Sequence, residues 1–201
     1  MNKEQLLGGL EEVADPRVIS AMSHVPRELF LPEPLQSRAY DDTPLPIGRG
    51  QTISAPHMVA IMCTILDLQP GMNVLEVGGG SGYHAAIMAE LVRPGGKVYS
   101  VERIAELVEA ARLNLARAGV ENVTVIQSDG SLGLPEHAPY DRISVAATAP
   151  SIPEPLKQQL KIEGKMVIPV GEDYQELYLV TRKNGFSVER KMGVIFVPLI
   201  G

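Results

Sequence analysis

The chain of 201 residues contains a single cysteine, Cys63, so no disulfide can form within it. Cys63 falls on an apolar helical face, which reads as buried packing, and the lack of a disulfide framework fits a reducing, cytoplasmic setting. Aromatic residues make up only 4% of the chain, few for stacking on bases. The formal net charge is −6, where a nucleic-acid footprint needs a basic excess. No apolar run approaches the ~20 residues of a membrane span. The first residues, Met1-Asn2-Lys3-Glu4-Gln5, lack the basic and apolar regions of a signal peptide. There is no internal repeat, low-complexity tract or charge block. Nucleic acid and membrane are thus excluded as expected partners, and a monomer is expected. What is present is 45% hydrophobic and 21% charged, the balance of a globular protein long enough for one well-buried domain.

The most informative stretch runs from Asn73 to Tyr83. Val74 to Val77 read as a short buried strand, Gly78, Gly80 and Gly82 carry a tight turn, and His84 to Val92 show helical periodicity. A strand, a glycine turn and a helix N-terminus make the first half of a nucleotide-binding βαβ unit. Glycine lets a ligand approach the backbone closely, and free N–H groups at the helix start suit an anionic group. The pattern Glu76-x-Gly78-x-Gly80-Ser81-Gly82 differs from the G-x-G-x-x-G dinucleotide fingerprint. It resembles the first motif of Rossmann-like S-adenosylmethionine-dependent methyltransferases. A plain structural βα turn is the competing reading.

Around this stretch the chain divides into an N-terminal part, 1–56, and a core, 57–201, within one domain. Residues 3–12 can form a helix, and Asp15-Pro16 signals a second from Arg17 to His24, ended by Pro26. Residues 40–56 read as a long polar loop, and loops of that length in compact domains are usually functional or disordered; Leu45, Ile47 and Ile53 argue against disorder. Ser54 stands at the expected N-cap of a helix from Ala55 to Leu68, a role that leaves room for a second one toward substrate. Strands follow at 97–101, 123–127, 140–145 and 165–169, alternating with helices, and a hairpin at Lys183-Asn184-Gly185 joins two antiparallel strands. Five β/α steps and a strand pair predict an α/β, doubly wound, mostly parallel sheet. Glu102 ends the second strand about twenty residues past the turn, where such folds hold ribose hydroxyls, or it is a solvated helix-start acid. Asp129-Gly130 ends the third strand, near an adenine edge if a nucleoside binds there, or it is an ordinary Asp-Gly turn.

Longer stretches carry a more specific resemblance. Val25-Pro26-Arg27-Glu28-Leu29-Phe30, Pro46 to Ser54 with its Gly50-Gln51-Thr52-Ile53-Ser54 run, Val74 to Gly78, Gly80 to Tyr83 and Ser100-Val101-Glu102-Arg103 occur in family order. So do Asp129-Gly130, Ala138-Pro139-Tyr140-Asp141, Gln159-Leu160 with Gly164, and Val170-Gly171 with Gln175. Together they resemble the protein-L-isoaspartate (D-aspartate) O-methyltransferase family over nearly the whole chain. Gly79 departs from the family's usual threonine, and Ala147-Thr148 from its usual Thr-Ala order.

That resemblance implies repair of damaged proteins and peptides. A methyl group would pass from S-adenosylmethionine to the α-carboxylate of an L-isoaspartyl residue, and more weakly to D-aspartyl residues. S-adenosylhomocysteine would leave, and the ester would close to a succinimide that reopens partly to aspartate. Cofactor binding would fall to Glu76, Gly78, Gly80, Ser81, Gly82, Glu102, Asp129 and Gly130. Thr52, Ile53 and Ser54 would bound the acceptor site, with Ser54 the catalytic residue and His57 and Gln175 further substrate contacts; no metal is implied. An acceptor carboxylate, with a pKa near ~3.5, is already an anion at neutral pH, so no general base is required. The rivals are a methyltransferase of the same fold acting on a small carboxylate or amine, a non-catalytic or NAD-binding Rossmann protein, and a nucleic-acid methyltransferase. The last lacks support after strand four, where Ala146-Ala147-Thr148-Ala149-Pro150 carries neither a Pro-Pro-aromatic motif nor a Pro-Cys nucleophile.

Overall fold

The computed structural model describes residues 1–200. Two helices come first, α1 (Lys3–Leu10) and α2 (Pro16–His24). Asn2 and Gln5 close a reciprocal capping box on α1, and the Asp15 carboxylate caps α2 with Pro16 in its first turn. Two 3-10 turns, Arg27–Phe30 and Glu33–Arg38, lead to a hairpin of β1 (Leu45–Gly48) and β2 (Gln51–Ile53). Then come α3 (Pro56–Leu66), β3 (Asn73–Val77), α4 (Tyr83–Leu91), β4 (Lys97–Glu102), α5 (Ala105–Arg117) and β5 (Val123–Gln127). The chain finishes with β6 (Tyr140–Val145), α6 (Glu154–Gln158), β7 (Leu160–Val170), β8 (Gln175–Arg182) and β9 (Phe186–Val194).

Seven strands form one sheet in the order β5-β4-β3-β6-β7-β8-β9. The first five are mutually parallel, and β8 and β9 close the far edge antiparallel. The doubly wound, mostly parallel sheet read from the sequence is therefore the observed one. Alternation along each strand divides the interior into two layers. Val74 and Val98 face a core built with α1 through α5, whereas Leu75, Val77 and Val101 face a second core with Ile143, Leu156 and Met166. The strand order reverses beside β3, so the carboxyl ends of β3, β4 and β6 flank a topological switch point.

Two expectations are corrected. Residues 40–56 are not simply a loop, because 45–53 fold into the β1–β2 hairpin. Gly48, Arg49 and Gly50 all take positive φ (95°, 54° and 71°), and this reversal lets flanking apolar residues pair. The β5–β6 crossover also lacks its expected α-helix. Residues 130–139 hold two glycines and two prolines and form only short 3-10 turns, at Gly130–Leu132 and Pro135–His137. Among the described residues, no helix is long and apolar enough to cross a membrane.

One long-range contact ties α3 to the sheet. Asp67 ends α3 in the left-handed region (φ 50°), and the last carbonyls of the helix are met by the buried guanidinium of Arg142 in β6. Arg142 Nε donates to the Leu66 carbonyl, and Nη2 donates to that of Asp67 at 3.3 Å. Burial holds this guanidinium below its ordinary pKa. Arg142→Leu leaves those carbonyls without donors and is expected to lower the unfolding free energy by about 2 kcal/mol in urea titration, with an unchanged denaturant slope.

Candidate active site

The switch point opens into a cleft between three walls. The first is the turn after β3. The Gly78 and Gly79 N–H groups both donate to the Val101 carbonyl, at 2.9 and 3.1 Å, which binds the turn to the end of β4. Glu102 continues the same tie: its Oε2 accepts from Gly80 N at 3.0 Å and its Oε1 from Ile104 N at 2.9 Å. Each carboxylate oxygen keeps a lone pair for a further donor. Gly82 (φ 86°) begins α4 without any side-chain cap, so the first N–H groups of that helix are open to a ligand.

The second wall is the β1–β2 hairpin, which lies across the turn. A Cβ on Gly80 would stand 3.3 Å from Ile47 Cδ1, so hairpin and turn are in close apposition. The third wall is the segment Val197–Ile200 after β9. Thr148 holds it through its own N–H to the Val197 carbonyl (2.8 Å) and its carbonyl from Leu199 N (2.7 Å). Gln175 holds the residue before it at both ends of its amide, accepting from Phe196 N at 2.6 Å and donating to Phe196 O at 3.1 Å.

At the base of the cleft is a fully buried acid. Glu76 Oε2 accepts from Ser100 Oγ at 2.5 Å, while Oε1 has no hydrogen-bond partner among the described residues, and His84 Nδ1 is 3.9 Å from it. His84 Nε2 in turn lies 3.4 Å from Cys63 Sγ. Burial pushes the Glu76 carboxyl up to about 8; the Ser100 bond opposes this and the Glu102 charge adds to it. Burial likewise pushes His84 down to about 4. An orphaned acceptor facing a cleft, beside a backbone cradle that no Cβ occupies and a two-oxygen acceptor at the next strand end, fits a molecule with an ammonium, a carboxylate and ribose hydroxyls. S-adenosylmethionine has all three groups.

The whole chain, residues 1–201, matches the family model described as protein-L-isoaspartate(D-aspartate) O-methyltransferase. The chain belongs to this family. It is 66% identical over 201 residues to the protein-L-isoaspartate O-methyltransferase of Methanothrix thermoacetophila, covering 100% of this chain and 96% of that one. To the enzyme of the same name from Methanococcoides burtonii it is 63% identical over 189 residues, 93% of each. Two solved structures of the family superpose on the entire chain. One, named protein-L-isoaspartate O-methyltransferase, does so with a TM-score of 0.92 at 34% identity, this chain spanning 66% of its length. The other, from Plasmodium falciparum and in complex with S-adenosyl-L-homocysteine, gives 0.89 at 33% identity over 99% of its length.

The structure gathers Thr52, Ile53, Ser54, Glu76, Gly78, Gly80, Ser81, Glu102 and Gly130 around the one cleft, while Gly82 packs closely against Ala111 and Leu115 of α5. Gly130 is needed for closeness, since a Cβ there would stand 2.4 Å from Val77 Cγ1. Other expected residues lie differently. Asp129 caps its own turn, its Oδ1 accepting from Ser131 N (2.9 Å) and Oγ (2.7 Å), and the backbone at Gly130 lines the cleft instead. Gln175 commits its amide to Phe196 and lines the groove that adjoins the cleft at Ser54. His57 lines an adjoining groove and is held by Asp42, whose Oδ1 lies 3.0 Å from His57 Nδ1.

Ser54 is not the N-cap expected from the sequence. Ala55 occupies that position with no side-chain cap bond, and the Asp42 carboxylate accepts from His57 N at 2.9 Å in its place. A residue from the preceding loop thus caps α3 and leaves the Ser54 hydroxyl uncommitted to the helix. The reading from sequence missed Asp42, Ser100, His84 and the Val197–Ile200 wall. Asp42, Ser100 and the wall meet the site through contacts distant along the chain, whereas His84 sits just past the glycine turn and was read only as the start of its helix.

The departure at Gly79 has a physical cause. A Cβ at Gly79 would fall 2.3 Å from Ser100 Oγ, the atom bonded to Glu76, but 3.6 Å from Ser100 Cβ. Gly79→Thr alone should therefore lower stability by about 1–3 kcal/mol, and adding Ser100→Ala should recover most of it; thermal unfolding of the single and double variants checks this.

Glu76 predicts a second effect. Between about pH 4.5 and 8 the folded chain keeps a proton on Glu76 that the unfolded chain has released, so this contribution to stability falls as pH rises. His84 acts oppositely between about pH 4 and 6.5, where the unfolded chain holds a proton that the buried imidazole lacks. Above that window Glu76 acts alone. From pH 6.5 to 8 the parent chain should lose up to about 1.4 kcal/mol per pH unit relative to Glu76→Gln. Parallel stability curves for the two proteins would refute the assignment.

Proposed function

We propose that the Thr52–Ser54 segment holds the α-carboxylate of an L-isoaspartyl residue, in damaged proteins and peptides, in line with the methyl group of S-adenosylmethionine. The observation that carries this is the Ser54 hydroxyl, released from helix capping by Asp42 and placed where the cofactor cleft meets the adjoining groove. When bound, S-adenosylmethionine supplies a methyl group on a sulfonium, an electrophile that needs no activation by the protein. The chain's own work is to bind and to orient. The turn from Gly78 to Gly82 and the open N-terminus of α4 take the cofactor's amino-acid portion, and the ammonium's charge favours ionised Glu76, whose Oε1 then accepts from it. Glu102 accepts from the ribose hydroxyls. Gly130 lies at the base side.

Ser54 Oγ donates to one carboxylate oxygen and aims the other at the methyl group; Ile53, buried, anchors the segment and Thr52 borders it. Orientation of this kind can supply roughly 7–11 kcal/mol of a barrier. Ser54 does not act as a covalent nucleophile. His57 and Asp42 form a pair nearby, but no hydrogen bond links the imidazole to Ser54 among the described residues, so the relay that would activate the hydroxyl is missing its central link. The 1–56 segment and the core work as one unit, since α1, α2 and the hairpin share the core of α4. A cytoplasmic monomer that binds no nucleic acid is consistent with the net charge of −6 and the lone buried cysteine.

The decisive experiment is transfer of labelled methyl to a synthetic isoaspartyl peptide, with its aspartyl twin as control. Label on the isoaspartyl peptide alone is expected, and equal label on both would overturn the reading. Ser54→Ala should reduce kcat by about 10²-fold or more while leaving S-adenosylhomocysteine affinity in calorimetry within about twofold. A variant that loses only thermal stability would return Ser54 to a structural role.

A further inference from the structure

The turn Lys183-Asn184-Gly185 joins β8 to β9 and takes no part in the cleft. Asn184 and Gly185 are exposed, and the strands close behind the turn through the Arg182–Phe186 pair. An asparagine followed by glycine is the dipeptide most open to imide formation, because no side chain shields the glycine nitrogen from the amide carbon. This is the only Asn-Gly in the chain. The other asparagines, Asn2, Asn73, Asn114 and Asn122, precede larger residues, and each commits its side chain to a backbone group. The one Asp-Gly, at Asp129-Gly130, is locked in place. Asp129 Oδ1 accepts from Ser131 N and Oγ, and Gly130 is buried against Val77. Nor does the exposed turn require its glycine. Gly185 keeps φ outside the left-handed region, and a Cβ there would meet nothing within 4 Å.

We propose that Asn184 is a modification site of the chain itself: it deamidates to isoaspartate, and a second copy of the chain methylates the product. The proposal rests on the isoaspartyl reading of the Ser54 site. Gly185 N attacks Asn184 Cγ, the Cγ–Nδ2 bond breaks, and ammonia leaves with the proton from Gly185 N. Water then adds to a carbonyl of the succinimide. Opening at the main-chain carbonyl of residue 184 routes the backbone through Cβ and Cγ and frees an α-carboxylate, the group assigned to Ser54. One oxygen of that carboxylate takes methyl from the sulfonium of S-adenosylmethionine as the C–S bond breaks, with its electron pair staying on sulfur. Gly185 N then attacks the ester carbonyl, methanol leaves, and the succinimide reforms. The transfer has to run between molecules. Gln175 pairs with Val194 beside the groove that adjoins Ser54, and Arg182 at the far end of β8 is about 24 Å away at ~3.4 Å per residue.

The test ages the full chain in neutral buffer without S-adenosylmethionine, then adds fresh protein and labelled S-adenosylmethionine. Peptide mapping should show the mass gain of deamidation at Asn184 and label in the same peptide, both rising with ageing time. Asn184→Gln and Gly185→Ala should each lose most of that label while methylating a synthetic isoaspartyl peptide as the parent does. Aged Ser54→Ala chain mixed with fresh Asn184→Gln chain should still be labelled, at a rate proportional to the fresh protein added. An aged chain without isoaspartate at Asn184 would overturn the proposal and leave the repair reading intact. So would isoaspartate there that stays unlabelled while the synthetic peptide is methylated. A labelled fraction of aged parent chain that is unchanged by dilution would place the transfer within one molecule and overturn the role of the second copy. Failure to label the synthetic peptide would remove the repair reading and this proposal with it.

Discussion

The site depends on the carboxylate of Glu102 being tied to two backbone N–H groups at once. One belongs to the turn after β3 and the other to the start of α5, so a single side chain sets the relation between neighbouring strand ends. The Gly78 and Gly79 bonds to Val101 make the same link through the backbone. A glycine-rich turn would otherwise be a loose element, since glycine loses more conformational freedom on ordering than any other residue. Cross-linking it to β4 gives the family's cofactor a preformed cradle and explains how a turn of such sequence keeps one shape.

The catalytic demand on the protein is light, and the architecture reflects this. A carboxylate acceptor arrives ionised and the methyl donor is already electrophilic, so no strong base needs to be built. The structure invests in walls. The hairpin lies over the turn, its tip joined to α5 by Arg49 and Glu106 at 2.5 Å, and the Val197–Ile200 segment closes the opposite side through Thr148. Both walls are short pieces of chain held at defined points, which suits them to keeping reactants aligned.

The central unit was legible because its parts are adjacent in sequence. Val74 to Val77, the three glycines and the following helix form one continuous signal, and Glu102 is found by counting from them. The Gly50–Ser54 run pointed to the family more sharply than the glycine turn did. What stayed hidden depended on distance. Asp42 replaces Ser54 as the cap of α3 from fifteen positions before His57, and nothing around Asp42 announces that role. Ser100 explains the glycine at 79 only when β3 and β4 are paired in register. The hairpin was obscured by Pro46, Gly48 and Gly50, residues that normally argue against strands, and by strands of only four and three residues. Gln175 was tied to the site by family position; in the fold it lines the adjoining groove while its amide holds Phe196.

The missing helix between β5 and β6 leaves one side of the cleft built from turns. Gly130 stands where the backbone nearly touches Val77, and its neighbours are held by an Asp cap and by Gln159, which accepts from Leu134 N and donates to the Leu132 carbonyl. The amides of this stretch are held by turn bonds and side-chain caps in place of a ladder, as at Ser131, Gly133, Leu134 and His137. A molecule bound against Gly130 therefore meets a wall whose position is set by individual turn and cap bonds, each of them within reach of a single substitution.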